Sequence, residues 1–479
     1  MSFAKFRKSI GAGDVVENLR AGLIGEGAEI ETPFGKRKLI YADYTASGRA
    51  LRQVENFVAE YVLPYYANSH TSSSFCGAYT TALREEGRSI IAEHINAGPD
   101  CSVIFTGAGA TSAINRLVAL CDVHSFGERA TIFIGPYEHH SNILPWRESG
   151  AEIVEIGEAE EGGPDLVELA TELAAREGQT LLIGAFSAAS NVSGIVTDVE
   201  GVTKVLKAHG ASAFWDYAGG APYLKIDMNP GEGLELDAVV ISPHKFLGGP
   251  GASGLLIIRG RAIRTKKPTW PGGGSVSYVS AWGHSYLDSV TEREEAGTPN
   301  IIGDIRAALV FLIKDAVGQD YIDKREQETG ALALAVWQNN PNLQLLGVDK
   351  PDRLPIFSYL VRNPDGGYIH HQLFTRMLSD VMGIQARGGC VCAGPYGHRL
   401  LNVGREQSEH IRDAILAGHE IEKPGWVRLN FSYLMDDATV QFVIESVDRL
   451  ALEANDYAAH YIGEDGNANF TYRDDERCA

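Results

Sequence analysis

A lysine stands where an apolar segment of the sequence meets a glycine-rich one. In ISPHKFLGGPGASGLLIIR (241–259), Ser-Pro-His-Lys follows a β-branched run, and a second apolar run follows the glycines. An ordinary surface lysine would not explain this glycine-rich turn. A lysine held at a strand end inside an α/β crevice can act as a nucleophile toward a carbonyl compound. Lys245 is therefore the first candidate for covalent chemistry.

Two other segments place polar groups directly after apolar runs. GAGATS (107–112) follows SVIFT and opens a predicted helix. Its glycines expose backbone N–H groups at a helix N-terminus, which favours a phosphate, although an ordinary strand-to-helix turn has the same composition. His139 and His140 follow TIFIGPYE. Either ring can stack on a planar group or move protons, and a structural histidine pair is the alternative.

Two further polar residues complete the set. Asn191 follows LLIGAFSAAS, and Asp216 follows SAFW, where a carboxylate is unusual unless it is paired. A phosphate cradle, a stacking histidine, an isolated acid and a strand-end lysine are the parts of a pyridoxal 5'-phosphate site. In such a site the lysine forms the Schiff base, and the acid keeps the pyridine nitrogen protonated. The sequence therefore predicts this cofactor, with Lys245 as its anchor.

The elements that must position these residues alternate between strand-like and helix-like segments from about residue 80 to 260. Nearly continuous apolar strands separated by helices predict a mostly parallel sheet covered on both faces. Ligands of such sheets bind at the carboxyl ends of the strands. After about residue 315 the pattern is typical of a smaller α+β domain. We predict an α/β fold with an N-terminal segment (1–32) packing on the small domain, a large cofactor domain (33–315), and a small domain carrying a cysteine loop (316–479).

Composition excludes several classes of protein. The 479 residues carry a net charge of −20, which argues against nucleic acid or an anionic membrane as the partner. No segment reaches the roughly 18 apolar residues of a spanning helix, and the N-terminus lacks the apolar run of a secretory signal. Six cysteines are too few for a disulfide framework in a chain of this length. We expect a cytoplasmic globular protein.

The same motifs resemble a known family. TGAGATSAIN, EHHSNILPW, SNVSG, WDYAG, SPHK and EAGTPN, in this order, are similar to the class V aminotransferases, and within them to the cysteine desulfurases. The resemblance covers roughly residues 40–450. It implies a fold type I pyridoxal-phosphate enzyme, a homodimer with a large cofactor domain and a smaller C-terminal domain. An amino acid would be its substrate.

Carried over position by position, the resemblance assigns a role to each candidate. Lys245 is the Schiff-base lysine, Asp216 the pyridine partner and His139 the stacking ring. Arg428, in GWVRLNFSYL, matches the arginine that holds the substrate α-carboxylate through a bidentate fork. Asn191 is expected near the cofactor hydroxyl or the substrate carboxylate. The residues implied to hold the phosphate are Ala110, Thr111, Ser242 and His244, with Thr298 reaching the phosphate of the other subunit.

The stretch ARGGCVCAGPYG (386–397) indicates the reaction type. Arg-Gly-Gly-Cys-x-Cys-x-x-Pro resembles the mobile loop of desulfurases, and especially the desulfurase domain of molybdenum cofactor sulfurases. The match puts the nucleophile at Cys392, whose thiolate would attack the sulfur of a bound cysteine. Alanine and an enzyme persulfide would result, and a sulfur-acceptor protein is a further implied partner. Arg387 offers the positive charge that a reactive thiol needs, and the glycines at 388 and 389 allow movement.

One departure from the family pattern keeps other functions open. The family has Asp-x-x-Gln where this chain has Asp216-Tyr217-Ala218-Gly219, so a donor to the cofactor hydroxyl is missing. The pair Cys390 and Cys392 can also be read as metal ligands, as a redox disulfide, or as bystanders in an epimerase, a C–S β-lyase or a selenocysteine lyase. A non-catalytic scaffold in sulfur trafficking is a further alternative. The intact lysine, acid, histidine and arginine favour an enzyme, because a scaffold needs none of them.

Overall fold

Seven strands between residues 101 and 259 form one sheet in the computed structural model, which describes residues 2–69, 73–364 and 366–473. The strands are β1 (Cys101–Gly107), β2 (Ala130–Ile134), β3 (Glu152–Glu155), β4 (Leu181–Ser187), β5 (Ser212–Asp216), β6 (Ala238–Ile241) and β7 (Gly254–Arg259). Their order in the sheet is β1-β7-β6-β5-β4-β2-β3. Strand β7 is antiparallel to both of its neighbours, and the other adjacent pairs are parallel. The predicted mostly parallel sheet is confirmed.

The inner strands are apolar on both faces because the sheet lies inside the molecule. Every residue of β2, β6 and β7 is buried. Ile132, Ile183 and Leu256 belong to one core cluster and have no exposed side-chain surface. On this cluster the ring of Trp146 stacks on that of Phe214, with ring centroids 6.2 Å apart. Burial of this kind is the main favourable contribution to folding.

Polar caps begin several of the helices that follow these strands. Asp165 and Asp198 accept backbone N–H groups of the first turns of Leu166–Ala174 and Val199–Ala208. Such caps satisfy donors that have no partner inside the helix. The other helices before residue 318 are Ser2–Ile10, Val15–Gly22, Arg52–Phe57, Phe75–His94, Gly109–Leu120, Val123–Phe126, Leu144–Arg147, Val290–Glu294 and Ile301–Val317.

The chain packs as two compact units. The first comprises Met1–Ile24, Ser47–Ser190 and Val196–Ile322, and it contains the seven-stranded sheet. The second comprises Gly25–Ala46, Asn191–Ile195 and Asp323–Ala479.

Residues of the predicted N-terminal segment (1–32) occur in both units. Phe3 and Phe6 pack on Phe57 in the first unit, with ring centroids 5.6 and 5.4 Å away. In the second unit, Ile40–Tyr41 pairs in parallel with Ile384–Gln385. This pairing brings residues 25–46 together with the C-terminal part of the chain.

A smaller antiparallel sheet forms the centre of the second unit. The strands are β8 (Leu343–Leu346), β9 (Ile356–Arg362), β10 (Tyr368–Ile369), β11 (Arg387–Gly389) and β12 (Trp426–Asn430). Their order in the sheet is β8-β9-β12-β11, and β10 pairs with β9. The helices after residue 318 are Gln319–Trp337, His371–Met377, Gly394–Leu400, Arg405–Leu416 and Asp437–Ala458.

Aromatic side chains fill the core under this sheet. The indole of Trp337 lies edge-on to Phe357 and stacked on Phe431, with centroids 5.0 and 6.0 Å away. Its Nε1 donates to the carbonyl oxygen of Ile444 at 3.0 Å, which satisfies the one polar atom of the ring.

Three two-stranded ribbons complete the described structure. They are Glu29–Thr32 with Gly35–Lys38, Val276–Ser280 with Gly283–Tyr286, and Tyr461–Glu464 with Asn469–Tyr472. Among the helices in the described ranges, none combines the length and the hydropathy that crossing a membrane requires.

Leu256→Ala is expected to destabilise the first unit by about 2–5 kcal/mol, because it opens a cavity in the centre of the sheet. Chemical unfolding followed by circular dichroism should show an earlier transition. Val279→Ala, at a largely exposed position of a ribbon, is the control and should change stability by no more than about 0.5 kcal/mol. Equal shifts in the two variants would contradict the assigned core.

Candidate functional site

The register of β4, β5 and β6 determines where the first group of candidate residues lies. Ser187 pairs with Asp216, and Asp216 pairs with Val240. These strands are parallel, so their carboxyl ends lie at one edge of the sheet. Asp216 is the last residue of β5, and the segment that carries Lys245 leaves β6 at the same edge.

The backbone around Lys245 is a single 3₁₀ turn, Pro243–Lys245, directly after β6. The Gly48 N–H donates to the carbonyl oxygen of His244 at 2.9 Å. A Cβ atom at Gly48 would overlap the carbonyl oxygen of Phe246, so a second backbone segment packs tightly on this turn. The turn therefore holds the lysine backbone in one position.

The carboxylate of Asp216 is buried and lies in the field of Lys245. Burial raises the pKa of Asp216, while the Ala218 N–H, which donates to Oδ1 at 2.7 Å, and the positive charge of Lys245 act in the opposite direction. A buried carboxylate is costly unless a donor or a cation faces it. A protonated ring nitrogen is such a partner.

The turn between β1 and the following helix approaches the end of β6. Gly107 and Gly109 both have positive φ, +79° and +64°. A Cβ atom at Gly109 would lie only 3.0 Å from the His244 ring. The Ala110 N–H donates to Ser242 Oγ at 3.0 Å. The Ala110 N–H and the Ser242 hydroxyl thus meet at the N-terminus of the helix Gly109–Leu120, a location that favours phosphate binding.

Burial, together with the charge of Lys245, lowers the pKa of His244 to about 4. This ring is therefore neutral at neutral pH.

His139 is held by its own chain. Its Nδ1 accepts the Ser141 N–H at 3.1 Å, so the neutral ring carries its proton on Nε2. The Ser141 hydroxyl lies 2.7 Å from that of Thr111, which connects this turn with the start of the helix Gly109–Leu120. The structure thus brings the predicted stacking histidine and a predicted phosphate residue into one hydrogen-bonded group.

Glu138 is a buried carboxyl group that the sequence analysis did not single out. Its Oε1 accepts the Ser187 N–H at 2.8 Å, and its Oε2 lies 2.7 Å from the Ser187 hydroxyl. Asn142 Nδ2 also donates to Oε2. Burial raises the pKa of Glu138 to about 7, and the charge of Asp216 acts in the same direction. Glu138 therefore links the turn of His139 to the strand pair that carries Asp216.

In the second unit two arginines face each other across neighbouring strands. Arg387 on β11 pairs with Arg428 on β12. Asp43 lies between them: Arg428 Nη2 donates to its Oδ1 and Arg387 Nε to its Oδ2, both at 2.8 Å. The Arg428 side chain is 4% exposed and that of Arg387 is 51% exposed. Asp43 is the second site residue that the sequence analysis did not assign.

The turn of the two cysteines is attached to the same group. Arg428 Nη1 donates to the Asn191 carbonyl oxygen at 3.1 Å, and Asn191 Nδ2 donates to the Val391 carbonyl oxygen at 2.9 Å. Val391 and Cys392 have backbone φ angles of +44° and +58°, a region that residues other than glycine rarely adopt. Cys392 is exposed and Cys390 half-buried, and both are free thiols. The arrangement presents an accessible thiol on a strained turn.

Two sequence observations remain apart from these contacts. Thr298 is exposed and precedes the helix Ile301–Val317. Its expected contact with another subunit stays a prediction. Gly219 stands where the resemblance implies glutamine, and Tyr217, two residues earlier in the sequence, is buried.

The residues of the first unit fit pyridoxal phosphate. A turn of backbone N–H groups with Ser242 suits the phosphate, a buried carboxylate suits the ring nitrogen, and a lysine shares the same sheet edge. Among the residues that the structure describes, no group of three or more histidine, cysteine, aspartate or glutamate side chains is arranged to hold a metal ion.

Comparison with known proteins places these residues in a family. Residues 40–441 match the family model described as Aminotransferase class-V. A probable cysteine desulfurase of Pyrococcus abyssi is 33% identical over 296 residues, which are 61% of this chain and 71% of that protein. One of Staphylococcus aureus is 30% identical over 371 residues, which are 75% of this chain and 84% of that protein.

Solved structures confirm the predicted fold. A cysteine desulfurase of Thermococcus onnurineus superimposes with a TM-score of 0.71 at 24% identity, covering 91% of this chain and 98% of that chain. One from Escherichia coli gives a TM-score of 0.68 at 23% identity, covering 86% and 94%. At these identities the likeness concerns the fold alone.

Glu138→Gln tests the buried carboxyl group through the pH dependence of stability. The pKa of Glu138 is about 7 in the folded protein, against about 4.3 for an unfolded chain, so the folded state binds the proton more tightly. This contribution to stability is complete below pH 4.3 and is lost as pH rises through 7. Glutamine does not ionise and has no such dependence.

The difference in melting temperature, parent minus Glu138→Gln variant, should therefore fall by about 2 °C or more between pH 5.5 and 8. Differential scanning fluorimetry of both proteins in matched buffers measures it. A difference that stays constant or grows with pH would show that Glu138 is ionised throughout.

Proposed function

We propose, since the chain belongs to the class-V aminotransferase family, that it is a pyridoxal-phosphate-dependent cysteine desulfurase acting on L-cysteine or a related thiol amino acid. The observation that carries the proposal is the exposed thiol of Cys392 on a strained turn, connected through Asn191 to Arg428. Enzymes that need no protein nucleophile have no use for such a thiol. The names of the Pyrococcus abyssi and Staphylococcus aureus relatives support the same activity.

In this proposal the first unit holds the cofactor. Pyridoxal phosphate, when bound, supplies an electron sink for negative charge on the carbon atoms of the amino acid. Lys245 would hold it covalently, Asp216 would keep the proton on its ring nitrogen, and the His139 ring would stack on it. The phosphate is assigned to Ala110, Thr111, Ser242 and His244, with Thr298 serving the site of a second subunit.

The second unit supplies the substrate carboxylate site and the nucleophile. Arg428 binds the α-carboxylate, since a guanidinium offers two parallel N–H groups to a carboxylate. Asn191 orients Arg428 through its carbonyl oxygen and holds the cysteine turn through its amide. Arg387 contributes positive charge on the strand that leads into that turn.

The sulfur transfer is balanced without an external oxidant or reductant. The Cys392 thiolate attacks the sulfur of the substrate, and a sulfur–sulfur bond forms while the carbon–sulfur bond breaks. The substrate β-carbon takes up a proton, for which Lys245 Nζ is the donor. Alanine leaves, and the persulfide of Cys392 retains the sulfur for an acceptor. The acceptor protein, the homodimer and the cytoplasmic location stay predictions.

A C–S β-lyase is the second candidate, and Gly219 is the observation that favours it. Without the glutamine that the family carries there, a hydrogen bond to the cofactor hydroxyl is lost. A β-lyase would give pyruvate and ammonia in place of alanine, and it would need no thiol at Cys392.

Lys245→Ala should lower turnover by about 10³-fold or more, because the variant has no amine to hold the cofactor or to move protons. Turnover is measured as alanine formed from L-cysteine. Covalent cofactor is measured as the ultraviolet absorbance that stays with the denatured, gel-filtered protein after borohydride has reduced the imine. Lys225→Ala, at an exposed position, is the control and should keep both. A Lys245→Ala protein that keeps covalent cofactor and activity would remove Lys245 from the mechanism.

Cys392→Ala should eliminate sulfide release while amino acids still change the cofactor spectrum, since Lys245 and Arg428 remain. Cys390→Ala is the matched control, one residue from the nucleophile, and should retain most of the rate. Sulfide is measured with a reductant present, and binding is measured by absorbance. Sulfide released by Cys392→Ala at the parent rate would favour the β-lyase.

A further inference from the structure

The carboxylate of Asp43 joins two arginines that come from different strands. Opposed residues of an antiparallel pair project to the same face, so the guanidinium groups of Arg387 and Arg428 are neighbours. Two like charges in this position repel one another. Asp43 accepts one hydrogen bond from each, at 2.8 Å, and turns a repulsive pair into a bridged one.

The backbone around Asp43 is fixed independently of this bridge. The Ala42 N–H donates to the Gln385 carbonyl oxygen, and the Ala42 carbonyl oxygen accepts the Asn430 N–H, both at 2.9 Å. The segment therefore lies as an extra strand beside residues 385 and 430. This pairing places the carboxylate of Asp43 against Arg428, and both side chains are buried.

Two defined contacts set the plane of the Arg428 guanidinium. Nη2 donates to Asp43 and Nη1 to the Asn191 carbonyl oxygen. A guanidinium is planar and its N–H groups form a rigid fork, so two fixed contacts orient the whole group. A long side chain without them would lose that orientation.

We infer that Asp43 is a positioning residue, which orients the guanidinium of Arg428 to receive the α-carboxylate of the amino-acid substrate. The inference rests on the proposed function, in which Arg428 binds that carboxylate. Asp43 touches neither the substrate nor the cofactor in this account, and it acts through Arg428. Its second partner, Arg387, balances its charge, so the three groups together keep one net positive charge for an incoming carboxylate.

The contacts also join this orientation to the nucleophile. The polar chain runs from Arg387 through Asp43, Arg428 and Asn191 to the carbonyl oxygen of Val391. Arg387 precedes the two cysteines in the sequence, and Val391 lies between them. Loss of Asp43 thus disturbs the carboxylate site and the turn from one position.

Asp43→Asn tests the inference with two ligands that differ only in the group that Arg428 would bind. The cofactor-loaded protein is titrated with L-alanine and with L-alaninamide, and the visible absorption of the cofactor reports binding. The variant should bind L-alanine about tenfold or more weakly, because the arginine has lost its charged partner, and should bind L-alaninamide within about threefold of the parent. A merely structural role would weaken both ligands alike.

Asp380→Asn is the matched control. Asp380 is also a buried aspartate of the second unit, and its Oδ2 accepts from Arg376 Nε at 2.6 Å and from the Tyr461 hydroxyl at 3.1 Å. It should lose stability without changing the ratio of the two affinities. An Asp43→Asn ratio equal to that of the parent or of Asp380→Asn overturns the inference.

If Asp43→Asn does not fold, a second variant, Asp43→Glu, tests the same inference. Asp43→Glu keeps the charge but moves it by one methylene, and it should weaken L-alanine by about threefold or more with L-alaninamide unaffected. Parent-like binding of L-alanine by this variant would overturn the inference. The parent itself separates the two claims: if it neither binds L-alanine nor forms it from L-cysteine, the proposed function fails before any variant is compared.

Discussion

The parallel pairing of β4, β5 and β6 is the constraint on which the chemistry of the first unit depends. Because Ser187, Asp216 and Val240 are in register, the carboxyl ends of three strands share one edge. Strand pairing alone therefore brings together residues that are far apart in the sequence. The backbone of Gly48 packs tightly on the turn after β6 and fixes the position of that turn.

Burial of charge is the physical theme of both units. In the first unit, Asp216 and Glu138 have pKa values raised by burial, which makes each ready to share or hold a proton. In the second unit, Arg428 is buried, and its charge is balanced by Asp43. Taking charged groups out of water is costly even when they are paired, so these pairs contribute little net stability.

The sheet could be predicted from the sequence because its strands follow from local patterns of apolar residues. Continuous apolar runs identified all seven strands, and the polar residues directly after them marked the edge that carries Lys245 and Asp216. Asp43 and Glu138 escaped because their importance depends on tertiary contacts. Asp43 meets Arg387 across 344 residues of sequence, through strand pairing that no local pattern reveals. Glu138 stands within a recognised motif, but its contacts to Ser187 depend on the order of the strands.

In the proposed function, sulfur passes from L-cysteine to Cys392 while alanine leaves. The most direct test is a single-turnover reaction without reductant, in which alanine and pyruvate are quantified and the peptide containing Cys392 is weighed by mass spectrometry. Alanine should form in an amount equal to that of a Cys392 peptide that carries one additional sulfur atom. Pyruvate and ammonia, with an unmodified Cys392 peptide, would contradict the proposed function.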